Sequence, residues 1–131
     1  MRARSGLEVE FTSDHGRRDV VERLENQGLV AVEEDYNHSV RDHWKVTTDS
    51  SCGYELVSPP LPPESAKSIA GAMRAVSEAG GYVNEQCGFH VHIEIPEGQR
   101  TYQDCLAIAR LYHESYEFFS PVFEQSRLDN R

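Results

Sequence analysis

A chain of 131 residues suits one domain with one hydrophobic core, since about 65% of the unfolded surface is buried at this size. The balance of 22 acidic against 13 basic residues gives a formal charge of -9, which argues against general affinity for nucleic acid or anionic membranes. No apolar run approaches a membrane span and the amino terminus lacks a signal-peptide core, so a cytoplasmic protein is expected.

The elements follow from periodicity. Strict alternation from Ser5 to Thr12 predicts a strand with Leu7, Val9 and Phe11 on its apolar face and Glu8 and Glu10 on the other. Ser13 or Asp14 is placed to cap a helix from about Gly16 to Asn26, whose stripe is Val20, Val21 and Leu24 and whose stop is Gly28. Leu29 to Glu33 reads as a short strand, Asp35 to Asp42 as a loop or hairpin turn, and His43 to Thr48 with Gly53 to Ser58 as an antiparallel pair around small polar turn formers. The run Pro59-Pro60-Leu61-Pro62-Pro63 cannot continue a ladder and delivers the chain into a helix from about Glu64 to Ala79, ended by Gly80-Gly81.

The strand Gly88 to Ile95 then alternates in the most telling way. Phe89, Val91, Ile93 and Ile95 are expected to enter the core, while His90, His92 and Glu94 share the opposite face. Pro96 and Gly98 turn the chain into a third helix, opened by a capping box of Thr101 and Asp104, with a wide apolar face including Leu106, Leu111 and Tyr112. The order of elements predicts an α+β fold: a sheet with helices packed on one face and the acids and histidines on the other. Cys52, Cys87 and Cys105, odd in number and without a CxxC pair, read as ordinary small residues of a reducing compartment. Trp44 reads as core.

Glu8 and Glu10 on one strand face place two carboxylates about 6 to 7 Å apart, which repel by roughly 2.5 kcal/mol at an effective dielectric near 20. Glu55 on the same face would raise that cost, and a divalent cation would reverse its sign. Carboxylates with one or two imidazoles suit Mg²⁺ or Mn²⁺. Each signal also has an ordinary explanation. An ExE pair is usually the wet face of a strand, two histidines on a strand need bind nothing, Glu55 and Glu94 can simply reach solvent, and Asp49 can hydrogen-bond its own turn.

Four segments in order resemble the amidoligase family of the carboxylate-amine ligase superfamily, with glutamine synthetase and glutamate-cysteine ligase. They are Gly6-Leu7-Glu8-Val9-Glu10-Phe11, Trp44 with Asp49-Ser50-Ser51, Gly53-Tyr54-Glu55-Leu56-Val57-Ser58-Pro59-Pro60-Leu61, and Cys87-Gly88-Phe89-His90-Val91-His92. The resemblance implies a curved, mainly antiparallel, glutamine synthetase-like sheet whose concave face binds ATP through Mg²⁺ (or Mn²⁺). By that similarity Glu8, Glu10, Glu55 and His90 are metal ligands, and Glu10, His92 and Arg127 belong to the catalytic set. His92 would face the nucleotide phosphates or the acyl phosphate, and Asp49 and Ser51 would serve the cofactor, substrate or metal shell. The implied reaction joins a small-molecule or peptide carboxylate to an amine through an acyl phosphate. A catalytically inactive binding or assembly module and a metal-dependent hydrolase using the same face are the alternatives.

Relatives continue past the segment resembling Pro121 to Asn130. The chain is therefore expected to be either a partial domain or a reduced relative, spanning 1–131 as a single unit. A second copy or a missing C-terminal partner segment would then cover its exposed edges.

Overall fold

Strand β1 (Ser5–Ser13) is the spine of the sheet because both of its edges are used. One edge pairs antiparallel with β4 (Gly53–Val57), which pairs with β3 (Trp44–Asp49). The other edge is shared between β5 (Gly81–Tyr82), at Thr12 and Ser13, and β6 (Phe89–Ile93), at Ser5 to Val9. Strand β2 (Ala31–Glu33) closes the far side by parallel pairing with β3, the one parallel ladder among the described strands. The result is a curled, mainly antiparallel half-barrel in the order β2-β3-β4-β1-β5, with β6 also on β1. The computed structural model describes residues 4–95, 98 and 101–122, and the chain divides into two compact units, one ending at Glu94 and one beginning at Ile95.

In the first unit, α1 (Arg17–Asn26) and α2 (Ala66–Glu78) pack side by side. Val20 and Leu24 of α1 and Ala72, Ala75 and Val76 of α2 join Leu7, Phe11, Trp44, Val46 and Leu56 from the sheet in one buried cluster. The apolar face expected of β1 therefore joins the core, with Val9 partly buried, and Trp44 is core. Gly81 permits the close approach of β5 to α2. A Cβ there would lie 2.5 Å from Val76 Cγ1 and 2.7 Å from the Val76 carbonyl oxygen, an overlap that backbone cannot relieve cheaply. Gly81→Ala is expected to cost about 1–3 kcal/mol, read as a lower urea midpoint.

Three expectations are corrected. Ser13 and Asp14 do not cap α1: Gly16 occupies the N-cap without a side-chain bond, and the Ser13 hydroxyl instead accepts from the His15 N–H and donates to the Ala79 carbonyl. Gly80-Gly81 is more than a stop, because Gly81 already belongs to β5. Phe89, Val91 and Ile93 are exposed rather than core, being 60%, 54% and 68% accessible. Strand β6 pairs with β1 alone, while α1 and α2 lie over β2, β3 and β5. Alternation fixed which side chains share a face but not whether anything covers it.

The cysteines require a fourth correction. Cys52 and Cys87, read as ordinary small residues, form a disulfide with Cα atoms 5.2 Å apart across 35 residues, and Cys105 is free and exposed. Their turns flank β1 on opposite edges, so the sheet register brings together two residues that sequence spacing keeps apart. Closing a loop of this length restricts the unfolded chain. Reduction is expected to lower the unfolding free energy by about 3 kcal/mol, measured by urea denaturation with and without dithiothreitol, and Cys52→Ser/Cys87→Ser should no longer respond.

In the second unit, α3 (Tyr102–Phe119) opens with the expected capping box. Thr101 Oγ1 accepts from the Asp104 N–H at 3.2 Å and Asp104 Oδ2 accepts from the Thr101 N–H at 3.0 Å.

Candidate functional site

The polar face of the sheet assembles by register. On β1 and β6, Glu8 stands directly opposite His90, and Gly6 opposite His92. On β1 and β4, Glu10 stands opposite Glu55, which in turn faces Thr47 of β3. The His92 imidazole leans along β1, and its Nε2 lies 3.3 Å from Glu8 Oε1. His90 Nδ1 lies 3.1 Å from Glu8 Oε2. Glu8 thus joins both histidines, one at each carboxylate oxygen.

Glu8, Glu55 and His90 each offer a donor atom, and the three lie within 4.8 Å of one another. Two carboxylate oxygens and an imidazole nitrogen form a donor set suited to Mg²⁺ or Mn²⁺. The residues therefore fit the metal that the resemblance implies. Electrostatics points the same way. Burial, with Glu8, Asp49 and Glu10 nearby, pushes the Glu55 carboxyl up from its ordinary range. A cation among these groups would remove that repulsion. For Glu8, burial opposes the charge, but the hydrogen bonds of His90 and His92 outweigh it and hold the group below its usual range.

Glu10 is placed differently. Its carboxylate is buried, and Oε2 accepts the Gly88 N–H at 2.6 Å and lies 3.3 Å from the Ser51 hydroxyl, whose single proton it shares with Asp49. Its own N–H donates to the Gly88 carbonyl at 3.0 Å. A Cβ on Gly88 would sit 2.9 Å from Glu10 Oε1, so a larger residue there would displace the carboxylate. Glu10 lies on the same face as the three donors, yet its carboxylate is already held by two loops. Asp49 and Ser51 stand at the β3–β4 turn. Asp49 Oδ1 accepts from the Ser51 hydroxyl and from the N–H groups of Ser51 at 2.8 Å and Cys52 at 2.9 Å. These bonds, the Ser51 hydroxyl foremost, hold the Asp49 carboxyl below its ordinary range. Arg127 lies outside the described residues.

The face forms one side of a cleft of about 680 Å³, whose other side is the segment Tyr36 to Val40. That volume lies within the usual range for small-molecule sites. Lys45 secures the segment. It alternates with Trp44 and Val46 on β3, so it points away from the core into the cleft, and its ammonium donates to the Asn37 carbonyl at 2.7 Å, Asn37 Oδ1 at 3.2 Å and the Ser39 carbonyl at 3.4 Å. At the base of the segment Glu34 accepts from Arg41 and meets His43 Nε2 at 3.0 Å, which holds its carboxyl far below the usual range. Sequence reading left out Lys45, Gly88 and Tyr36 to Val40. The signal for Lys45 was available in the alternation of β3, where a basic residue shares its parity with Thr47 and Asp49.

No curated protein and no solved structure matches the chain. The profile of one family, described as putative amidoligase enzyme, matches residues 1–127, a span that includes every cleft residue named above. On that match over nearly its whole length, the chain belongs to the amidoligase family.

Proposed function

We propose that this family member is an ATP- and Mg²⁺-dependent carboxylate-amine ligase. The observation that carries the reading is the convergence of Glu8, Glu55 and His90 from three strands beside a cleft large enough for a nucleotide. In the proposed reaction, a substrate carboxylate oxygen takes the terminal phosphoryl group of ATP, releasing ADP. An amine then attacks the acyl carbon, phosphate leaves, and the amine proton passes to solvent. Two anions must meet in the first step, and a divalent ion supplies the charge neutralisation it needs.

The chain's own residues have these parts. Glu8, Glu55 and His90 hold the ion, with Glu10 as the adjacent carboxylate. His92, steadied by Glu8, faces the phosphates. Asp49 and Ser51 shape the far end, and Lys45 sets the wall against which the acid or amine lies. Arg127 is assigned to phosphate binding by resemblance alone. The sheet is read as glutamine synthetase-like, the substrates as small molecules or peptides, and the compartment as the cytoplasm, where ATP is supplied. A second copy or a further C-terminal segment is the proposed cover for the rest of the site.

The test is release of ADP from ATP and Mg²⁺ across a panel of carboxylates and amines, with hydroxylamine as trap. ADP and hydroxamate should appear only when acid and metal are both present. Amide or phosphoester cleavage without ATP would replace this reading with a hydrolase. Tight Mg-ATP binding with no ADP would replace it with a binding module.

A further inference from the structure

The two bridged cysteines stand beside the two groups that hold a single oxygen atom. Ser51 donates to Glu10 Oε2 and is followed by Cys52; Gly88 donates its N–H to the same Oε2 and is preceded by Cys87. The loops come from opposite edges of β1, one linking β3 to β4 and the other entering β6. Besides the bridge and the shared Glu10 oxygen, Thr12 links the two loops, donating to the Cys52 carbonyl at 2.8 Å and accepting from Asn84 Nδ2 at a long 3.4 Å. The bridge is thus a covalent tie between the neighbours of Ser51 and Gly88, added to the bond from the Glu10 N–H to the Gly88 carbonyl and to those from Ser51 to Asp49.

We propose that Cys52 and Cys87 are a reversible redox switch that sets the clamp on Glu10: closed when bridged, released when reduced. Cys52 is buried, whereas Cys87 is only partly covered and follows the exposed stretch 83–86, so Cys87 meets an external disulfide first. Its thiolate attacks one sulfur of oxidised glutathione, releasing one reduced glutathione and leaving a mixed disulfide. The Cys52 thiolate then displaces the second glutathione. Two protein thiols are oxidised by two electrons, the glutathione disulfide is reduced by two, and the two protons leave on the departing thiols. In a reducing compartment such a pair acts as a sensor rather than a permanent staple. Its consequence for turnover rests on the ligase reading; the bridge and the clamp do not.

The experiment equilibrates a Cys105→Ser protein across a range of reduced to oxidised glutathione. Free thiols are then mapped by alkylation, and hydrogen exchange of the Gly88 amide is followed by NMR. The 52–87 pair should form and break within that range, and Gly88 exchange should slow by about tenfold on oxidation as local opening is suppressed. A version also carrying Cys52→Ser and Cys87→Ser should exchange at the reduced rate at every ratio. Cysteines that stay alkylatable at the most oxidising ratio, a bridge intact at the most reducing one, or Gly88 exchange indifferent to the bridge would each overturn the switch. If ADP is released in neither state, the ligase reading fails while thiol mapping and Gly88 exchange still decide this one.

Discussion

Glu8→Gln is expected to lower Mg²⁺-dependent ADP release by about 10³-fold, the scale of several kcal/mol of transition-state stabilisation supplied through a metal. Glu8 contributes one donor to the three-residue set and meets both imidazoles, at 3.1 Å for His90 Nδ1 and 3.3 Å for His92 Nε2. A glutamine keeps the shape but is neutral, and only one of its two terminal atoms can accept a hydrogen bond. It therefore loses charge for the ion and can no longer accept from both histidines. Stability should hardly change, because the Glu8 side chain is 30% exposed and its histidine partners more so, and exposed pairs contribute about 0–1 kcal/mol. The pH dependence has a defined sign. The Glu8 carboxyl is held below its unfolded value, so its stabilisation is present above that value and lost as pH falls through the folded one. The wild type should thus show an acid-side loss of stability that the variant lacks. Circular dichroism checks the fold and coupled ADP detection the rate; a folded variant turning over at the wild-type rate would sink the metal assignment.

Much of this site was legible because a β-strand has a period of two. Glu8 with Glu10 and His90 with His92 declared a common side for each strand, and the register set Glu8 against His90 as two faces of one sheet require. What alternation cannot carry is rotation of a side chain about its own bonds. Glu8 and Glu10 look equivalent in sequence, yet Glu8 turns to the imidazoles and Glu10 to Gly88 and Ser51, a division made by loops contributed 41 and 78 residues away. Nor can it carry coverage. Val91 pairs across from the buried Leu7 and is nevertheless exposed, because α1 and α2 pack over β2, β3 and β5 rather than over β6. The disulfide was hidden for the same reason: its partners belong to turns related only through pairing on the two edges of β1. Lys45 was overlooked although its parity was visible, since a single lysine in a strand resembles any solvated cation until a loop folds over it.

Glu55→Gln is expected to stabilise the metal-free protein while abolishing its response to Mn²⁺, two effects of opposite sign from one atom pair. Burial and the neighbouring carboxylates of Glu8, Asp49 and Glu10 raise the Glu55 carboxyl above its unfolded value. The folded state then holds that proton more tightly than the unfolded chain does. Stability from this group is full below the unfolded value and declines as pH rises through the raised folded one, leaving a deficit at neutral pH. Glutamine removes the charge and with it the deficit. Screening at a partly open cleft limits the gain to about 1 kcal/mol, which should be visible at pH 7 and absent at pH 4. With Mn²⁺ present the order reverses, because the wild type gains binding energy that the variant cannot. Loss of a direct ligand should exceed the roughly 10–100-fold weakening typical of outer partners. Thermal melts at both pH values, with and without Mn²⁺, and calorimetric titration of the ion separate this from the ordinary alternative. A variant that is less stable without metal and binds Mn²⁺ as the wild type does would make Glu55 a solvated carboxylate on the wet face of a strand.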